Sequence, residues 1–490
     1  AAAERRALHR IAQMAAHENQ ILQDPELYIT TPVAPPGGPE ASMNAQSKTI
    51  VVAGGARTPI GHISRSLSGL TADALLVDAL LSTLERARVP KEAVDGVVAG
   101  WVGQGFNAPN IARVAALRAG LPERVQSVTV QNNCVSSIES VSAACRFILA
   151  GEGDLYIACG TEVMSRLPYT IDGSRAAKAL RSFDTVKTKW AELLTSPDVK
   201  VVDAMEAGLT DPVKNINMAG TAEVCAQMYG ITREEEDAYA RESFRRSLAG
   251  WKSGFYETHV VPVVRDGAPV LAQDEYPFLR EDLVEKPQMF AKAPALFDNS
   301  AYTLKDFYRD YGRHVEGKTY QDGMKGTVTL FNSCGRSDGA AAVIVTTAEK
   351  AKSLGLEVLA EIKGWGFVGN NPAHMGVAPA LAAPVALERA GVKFDALDQI
   401  ELHEPFAATV LSIFKLGKEK FGHDWAAKNA AGALNPNGGS IALGHPLGAT
   451  GARLMLNLVH ALKKNPKGRY GMLAACAGGG MGGALVVERR

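Results

Sequence analysis

The sequence predicts an α/β fold of two duplicated halves with an inserted domain. Three observations predict it. From residue 48 onward, short apolar runs alternate with helical patterns, the rhythm of α/β layers. A helix, a Gly-containing turn and a strand near residue 150 recur near residue 460, an internal duplication in outline. A longer, more polar stretch, about 169–325, lies between the two.

The first 47 residues differ from the rest. Ala1 to Gln23 has helical composition, with Leu8, Ile11 and Met14 at rough helical spacing. Thr30 to Pro39 is a Pro/Gly linker. The extension reads as a docking arm, a targeting remnant or an artificial addition; Glu4 and Glu18 weaken a transit-peptide reading. Lys48-Thr-Ile-Val-Val-Ala begins the folded core as a strand. Thr71 to Ala87 reads as a helix, Gly96-Val-Val-Ala-Gly as a buried strand and Ser127-Val-Thr-Val130 as another. Ile138 to Leu149 reads as a helix, followed by the strand Asp154-Leu-Tyr-Ile-Ala158.

In the polar stretch, Gly220 to Tyr229 and Thr232 to Ala249 read as helices, with Thr232 and Glu235 in capping-box positions. Residues 276–325 read as irregular, with an extra surface loop around 300–325. The late helix is Gly451 to Lys463, and the strand after it Tyr470-Gly-Met-Leu-Ala-Ala475. Gly339-Ala-Ala-Ala-Val-Ile-Val345 and Gly482-Gly-Ala-Leu-Val-Val487 close the two halves alike. The expected boundaries are 1–47 for the extension, 48–168 with 326–350 for the first half, 169–325 for the insertion and 351–490 for the second half.

At 490 residues the chain exceeds the roughly 250–300 residues of a single core, which fits more than one core unit. Its 52 basic and 52 acidic side chains cancel, which gives no overall reason to expect nucleic acid or an anionic membrane as partner. No apolar run reaches the roughly 18–20 residues of a transmembrane segment. The six cysteines contain no CxxC pair, so a disulfide framework, a zinc ribbon and a thioredoxin-like site all fail on spacing. No metal site is expected.

Four segments carry chemistry. Gln131-Asn-Asn-Cys134-Val-Ser-Ser stands between a strand and a helix. The positive end of the helix dipole and its free N–H groups favour a thiolate at Cys134; the plain alternative is a buried core cysteine. Asn437 to Gly451 surrounds His445 with glycines, which allow close backbone approach and leave His445 as base or donor; a structural turn is the alternative. Ala475-Cys476-Ala-Gly-Gly-Gly480 follows a strand, and its N–H groups suit an oxyanion nest beside a thiol; a packed cysteine before a tight turn is the alternative. Leu402-His403-Glu404-Pro405-Phe406 lacks the second His of a zinc motif, so a capping or solvated His competes with a catalytic one.

Taken together and in this order, the four segments resemble the thiolase family. Arg57-Thr-Pro-Ile-Gly61, Gly160-Thr-Glu-Val-Met-Ser165, Ile231-Thr-Arg-Glu-Glu235, Asp338-Gly-Ala-Ala-Ala342 and Met375-Gly376 match as well, so the resemblance runs from about 48 to 490. It implies a five-layered αβαβα core and a two-step Claisen reaction on coenzyme A thioesters. By motif, Cys134 becomes the acylated nucleophile and His445 takes its proton and helps bind the thioester oxygen. Cys476 moves the proton at the acetyl-CoA α-carbon. The amides of Cys134 and Gly478 form an oxyanion hole, and Cys334 and Met218 contact CoA. No cofactor is implied; coenzyme A is a substrate.

Three departures from the family pattern stand out. His403 replaces the common Asn, as in thiolase subunits of fatty-acid β-oxidation trifunctional complexes, where it would hold water or contact substrate oxygen. Pro405 is unusual and is expected to shift its turn. Second, Cys334 stands where a Ser is common and is a weaker hydrogen-bond partner. Third, the 300–325 segment reads as longer than in compact short-chain enzymes; in trifunctional-type relatives a comparable region helps with partner or membrane contact, with an ordinary solvated loop as the alternative.

The resemblance therefore implies a 3-ketoacyl-CoA thiolase, with a short-chain acetoacetyl-CoA thiolase as the nearer alternative and a non-catalytic thiolase-like scaffold as the distant one. A ketoacyl-synthase-type enzyme is disfavoured by Cys476. A homodimer or homotetramer is expected, and a hydratase/dehydrogenase partner subunit stays open. Cysteine usage suits a reducing compartment, read as cytoplasmic with the mitochondrial matrix as alternative.

Overall fold

The computed structural model describes residues 48–172 and 199–490. The helix expected over Ala1 to Gln23 and the linker after it lie outside the described residues. Lys48–Arg490 forms one compact unit.

Its centre is a ten-stranded mixed sheet. The principal strands are β1 (Ile50–Arg57), β2 (Gly96–Gly100), β3 (Gln126–Val130), β4 (Leu155–Val163), β5 (Ser337–Thr347), β6 (Ala360–Gly369), β7 (Leu397–Leu402), β8 (Tyr470–Ala477) and β9 (Met481–Arg489). They run β7-β8-β9-β6-β1-β5-β4-β2-β3, with the short strand Gly61–His62 beside β5. The duplication is visible in this order. In the first half β1, β5, β4, β2 and β3 lie side by side; in the second, β6, β9, β8 and β7 repeat the first four. The fifth position shrinks to a single parallel bridge, Ile400 to Leu434. The halves join through β1 and β6 over only two residue pairs, Val51 with Glu361 and Val52 with Ala360.

Apart from the half-exposed edge strand β3, the inner strands are buried on both faces, so their alternating side chains enter two different cores. In β4, Leu155, Ile157 and Cys159 face one core, while Tyr156 and Ala158 face another. In β8, Leu473 and Ala475 share that second core, and Met472 and Ala474 enter a third. Helices fill the layers between. The helices α1 (Ala72–Ala87) and α2 (Ile111–Arg118) cover the outer face of the first half. The helices α3 (Ser136–Leu149) and α8 (Thr450–Lys464) lie between the two halves. The helices α6 (Ala378–Ala390) and α7 (Ala407–Phe421) cover the outer face of the second. The result is the five-layered αβαβα arrangement. The helix α8 is buried nearly all round, Arg453 and Asn457 included, because a central layer has little solvent face.

The insertion holds α4 (Met218–Tyr229) and α5 (Arg233–Lys252), close to the helices expected there. Thr232 and Glu235 form the capping box in both directions. The stretch 276–325 is more regular than expected. Short helices occupy Glu275–Leu279, Asp282–Glu285, Gln288–Lys292 and Leu304–Tyr311, the last with its own Thr303–Asp306 capping box. Phe297, Leu304 and Phe307 pack with Ile216 and Val224 of the insertion into a small separate core. Aromatic residues that read as scattered along the chain are its content.

Candidate active site

Four connections converge. The turn from β3 to α3 carries Cys134, and the loop before α8 carries His445. The turn from β7 to α7 carries His403, and the β8–β9 turn follows Cys476. The two central helices thus begin at the same place, one after the cysteine and one after the histidine.

Asn133 bends the first turn with a φ of 46° and donates from Nδ2 to the Gly478 carbonyl at 2.8 Å. That bond ties the first half to the β8–β9 turn. Gly479 and Gly480 there adopt φ of 83° and 76°, a region that costs a side chain strain and glycine nothing. Cys134 is half-buried, but its thiol is enclosed by protein. That enclosure pushes the thiol up to about 12, while N–H groups of Gly478 and of Cys134 itself pull the other way. The helix terminus therefore does not hold a resting thiolate, contrary to the sequence expectation, because desolvation outweighs two amide donors.

His445 is buried, and its backbone N–H donates to Gly335 and Ser337. Its Nδ1 lies 2.7 Å from Thr450 Oγ1, and its Nε2 is buried with no partner. Burial first, then the charge of Arg453, lowers its pKa to about 3. The resting pair is thus a neutral thiol and a neutral imidazole. His403 is fully buried, its ring centroid 4.1 Å from that of His445. Its Nδ1 lies 2.8 Å from Ser440 Oγ, and its Nε2 also has no partner. Neither Nε2 has a partner among the described residues, and the two rings are neighbours.

Cys476 is buried near the end of β8, and burial holds its thiol well above the ordinary range. Charge on Cys134 would raise both Cys476 and Cys334, which places the three sulfurs around one region. A cavity of about 420 Å³ opens there, lined by His445, Cys334 and Met218 among others, with Leu296, Phe406 and Leu447 as apolar wall. His403 is not in that wall; it stands behind His445. Met218 lies beside Gly478, where a Cβ would come within 3.4 Å of its sulfur.

Pro405 lies in the turn between β7 and α7. Its missing N–H is not needed, and its carbonyl accepts from the Cys334 N–H at 2.9 Å. Glu404 anchors the loop domain: its carboxylate accepts from Tyr239, Ser243 and Asn435 at 2.6–2.8 Å. Sequence reasoning quoted Glu404 but gave it no role, and missed Ser440, Thr450 and Arg453. Ser440 and Thr450 lay inside the glycine-rich stretch read for its histidine. Glu162 was missed as well. It accepts backbone N–H groups of Val102, Gly103 and Gly448, and burial raises it to about 7.

These values make one prediction. Alkylation of Cys134 by iodoacetamide in the free protein should rise about tenfold per pH unit through the neutral and mildly alkaline range, without a plateau. Peptide mapping of the label checks it. A plateau with a midpoint near neutrality would mean that a thiolate–imidazolium pair forms at rest.

Residues 50–292 match the thiolase N-terminal domain, and residues 356–489 the thiolase C-terminal domain. The chain is 35% identical over 445 residues to an acetyl-CoA acetyltransferase of Cupriavidus necator, covering 90% of this chain and 99% of the relative. A probable acetyl-CoA acetyltransferase of Escherichia coli is also 35% identical, over 442 residues, again covering 90% and 99%. Human mitochondrial 3-ketoacyl-CoA thiolase, solved with CoA, superimposes with a TM-score of 0.75 at 30% identity, covering 90% of this chain and 98% of that one. Acetyl-CoA acetyltransferase of Syntrophomonas wolfei gives 0.77 at 31%, covering 90% and 99%. The chain belongs to the thiolase family. It is a thiolase, an acyltransferase of the acetyl-CoA acyltransferase and acetyltransferase kind.

Among the described residues, no helix is long and apolar enough to cross a membrane.

Proposed function

We propose that this thiolase cleaves 3-ketoacyl-CoA with CoA, giving acetyl-CoA and a shortened acyl-CoA through an acyl–Cys134 intermediate. The observation that carries the reading is the imidazole of His445 in the wall of the cavity that Cys334 and Met218 line, with His403 close behind it and neither Nε2 partnered among the described residues. His445 Nε2 takes the Cys134 proton as sulfur attacks the 3-keto carbon. The bond between C2 and C3 breaks, and acetyl-CoA leaves as its enolate. Cys476 gives the enolate its α-proton. A CoA thiol then passes its proton to Cys476, attacks the acyl–Cys134 carbonyl and releases the shortened acyl-CoA; the Cys134 thiolate recovers its proton from His445. Dividing one exchange into two thioester steps is the gain of covalent catalysis. The amides of Cys134 and Gly478 are the donors for one developing oxyanion, and His403 and the His445 imidazolium formed by that proton transfer serve the other.

A 3-keto chain longer than acetoacetyl is supported by the apolar wall. Met164, Leu209 and Leu447 also line a second cavity, of about 360 Å³, beyond the first. The short-chain reading draws on the relatives, which are mostly acetyl-CoA acetyltransferases. A homo-oligomer is supported by β3, a half-exposed strand at the edge of the sheet. The test is CoA-dependent cleavage of acetoacetyl-CoA beside a medium- to long-chain 3-ketoacyl-CoA series. Specificity constants rising with chain length support the proposal. Activity confined to acetoacetyl-CoA moves the enzyme to the short-chain class, and no turnover of any member sinks the catalytic reading in favour of a scaffold.

A further inference from the structure

We propose that Ser440 and Thr450 hold the two neighbouring active-site histidines in opposite tautomers, so that Nε2 of His403 carries an N–H and Nε2 of His445 a lone pair. The inference rests on the thiolytic reading above for its use, but not for its geometry.

The argument begins at Arg453. Its guanidinium is buried and donates from Nη2 to Ser440 Oγ at 2.6 Å. A guanidinium has donors and no acceptor, so the serine oxygen must accept there. The single hydroxyl proton of Ser440 is then free for its other neighbour, His403 Nδ1, at 2.8 Å. With Nδ1 accepting, the ring proton of neutral His403 sits on Nε2. On His445 the chain runs the other way. Thr450 Oγ1 donates to the Pro446 carbonyl at 3.0 Å. Its lone pair is left to accept from His445 Nδ1, at 2.7 Å. The Nε2 of His445 is then unprotonated. The two rings stand 4.1 Å apart at 45°, and neither Nε2 has a partner.

The division has a use. Before reaction, His403 Nε2–H can hold the thioester oxygen while the lone pair of His445 is free to receive the Cys134 proton. Once it has received it, His445 too becomes a donor. The oxygen then meets two donors only after the nucleophile has been activated. Stabilisation is thereby tied to proton transfer rather than offered equally to the ground state. Ser440, Thr450 and Arg453 act through the histidines and are positioning residues.

Neutron diffraction from crystals of the parent protein exchanged into deuterium oxide reads the tautomers directly. Deuterium is expected on Nε2 of His403 and on Nδ1 of His445. Deuterium on Nδ1 of His403, or on Nε2 of His445, overturns the proposal. Ser440→Ala gives a second readout. It is expected to lower kcat for thiolysis by about 10–100-fold with little change in KM. A folded variant with the kcat of the parent overturns the role of Ser440. If that variant does not fold, the neutron map of the parent decides alone. A parent that shows no thiolysis defeats the functional reading, while the map still decides the tautomers.

Discussion

Cys134→Ala is expected to lower CoA-dependent cleavage by on the order of 10⁴-fold or more, with the fold unchanged. Cys134 is half-buried in a turn, and its methylene would remain as the alanine methyl. What is removed is the sulfur that the two N–H groups surround. No other sulfur can take its place. Cys476 and Cys334 share the region and are held up by burial as Cys134 is, but only Cys134 has the amides of both Gly478 and its own residue at its sulfur. The measurement is steady-state thiolysis beside mass spectrometry of the enzyme mixed with 3-ketoacyl-CoA but no CoA. The parent should gain the acyl mass on Cys134 and the variant none. An acyl adduct on the variant would relocate the nucleophile.

Gly160→Ala is expected to cost about 3 kcal/mol of stability and to lower activity beyond that loss. Gly160 is extended, so its backbone would accept alanine; the obstacle is space. A Cβ there would overlap the carbonyl oxygen of Gly448 and press on Ser137. Gly448 belongs to the loop that carries His445, and its own N–H is bonded to Glu162 at 3.1 Å. Strand β4 and this loop therefore pack backbone against backbone, and no flexible side chain can yield. Chemical denaturation read beside kcat/KM checks both effects. Unchanged stability would show that the loop can retreat at little cost.

The strands and helices of the core were legible because their burial pattern is simple. Gly96–Gly100 was read to the residue, and α5 was announced by its capping box. The small core around Phe307 was not legible. Its partners Ile216 and Val224 stand far off in sequence, and a cluster closed by distant residues leaves no local period. The site divides the same way. Cys134, His445 and Cys476 were found through turn chemistry and family resemblance, and the fold brings them to one region. The protonation of Cys134 was misread because a helix terminus is visible in sequence, whereas the enclosure that outweighs it is not. Ser440 and Thr450 were passed over because a hydroxyl that fixes a ring is defined by the ring it meets. That neighbour appears only after folding.

The narrow seam between β1 and β6 has a consequence for how the chain matures. The nucleophile stands on one half and its base on the other, while the sheet joins the halves over two residue pairs of one strand pair and the middle helices pack between them. Each half can gain its strands and helices, and so its spectroscopic signature, before the seam has closed. Until it closes there is no place where sulfur and imidazole meet. Recovery of turnover in a refolding chain is therefore expected to lag the recovery of secondary structure, because it waits on the docking of one half on the other.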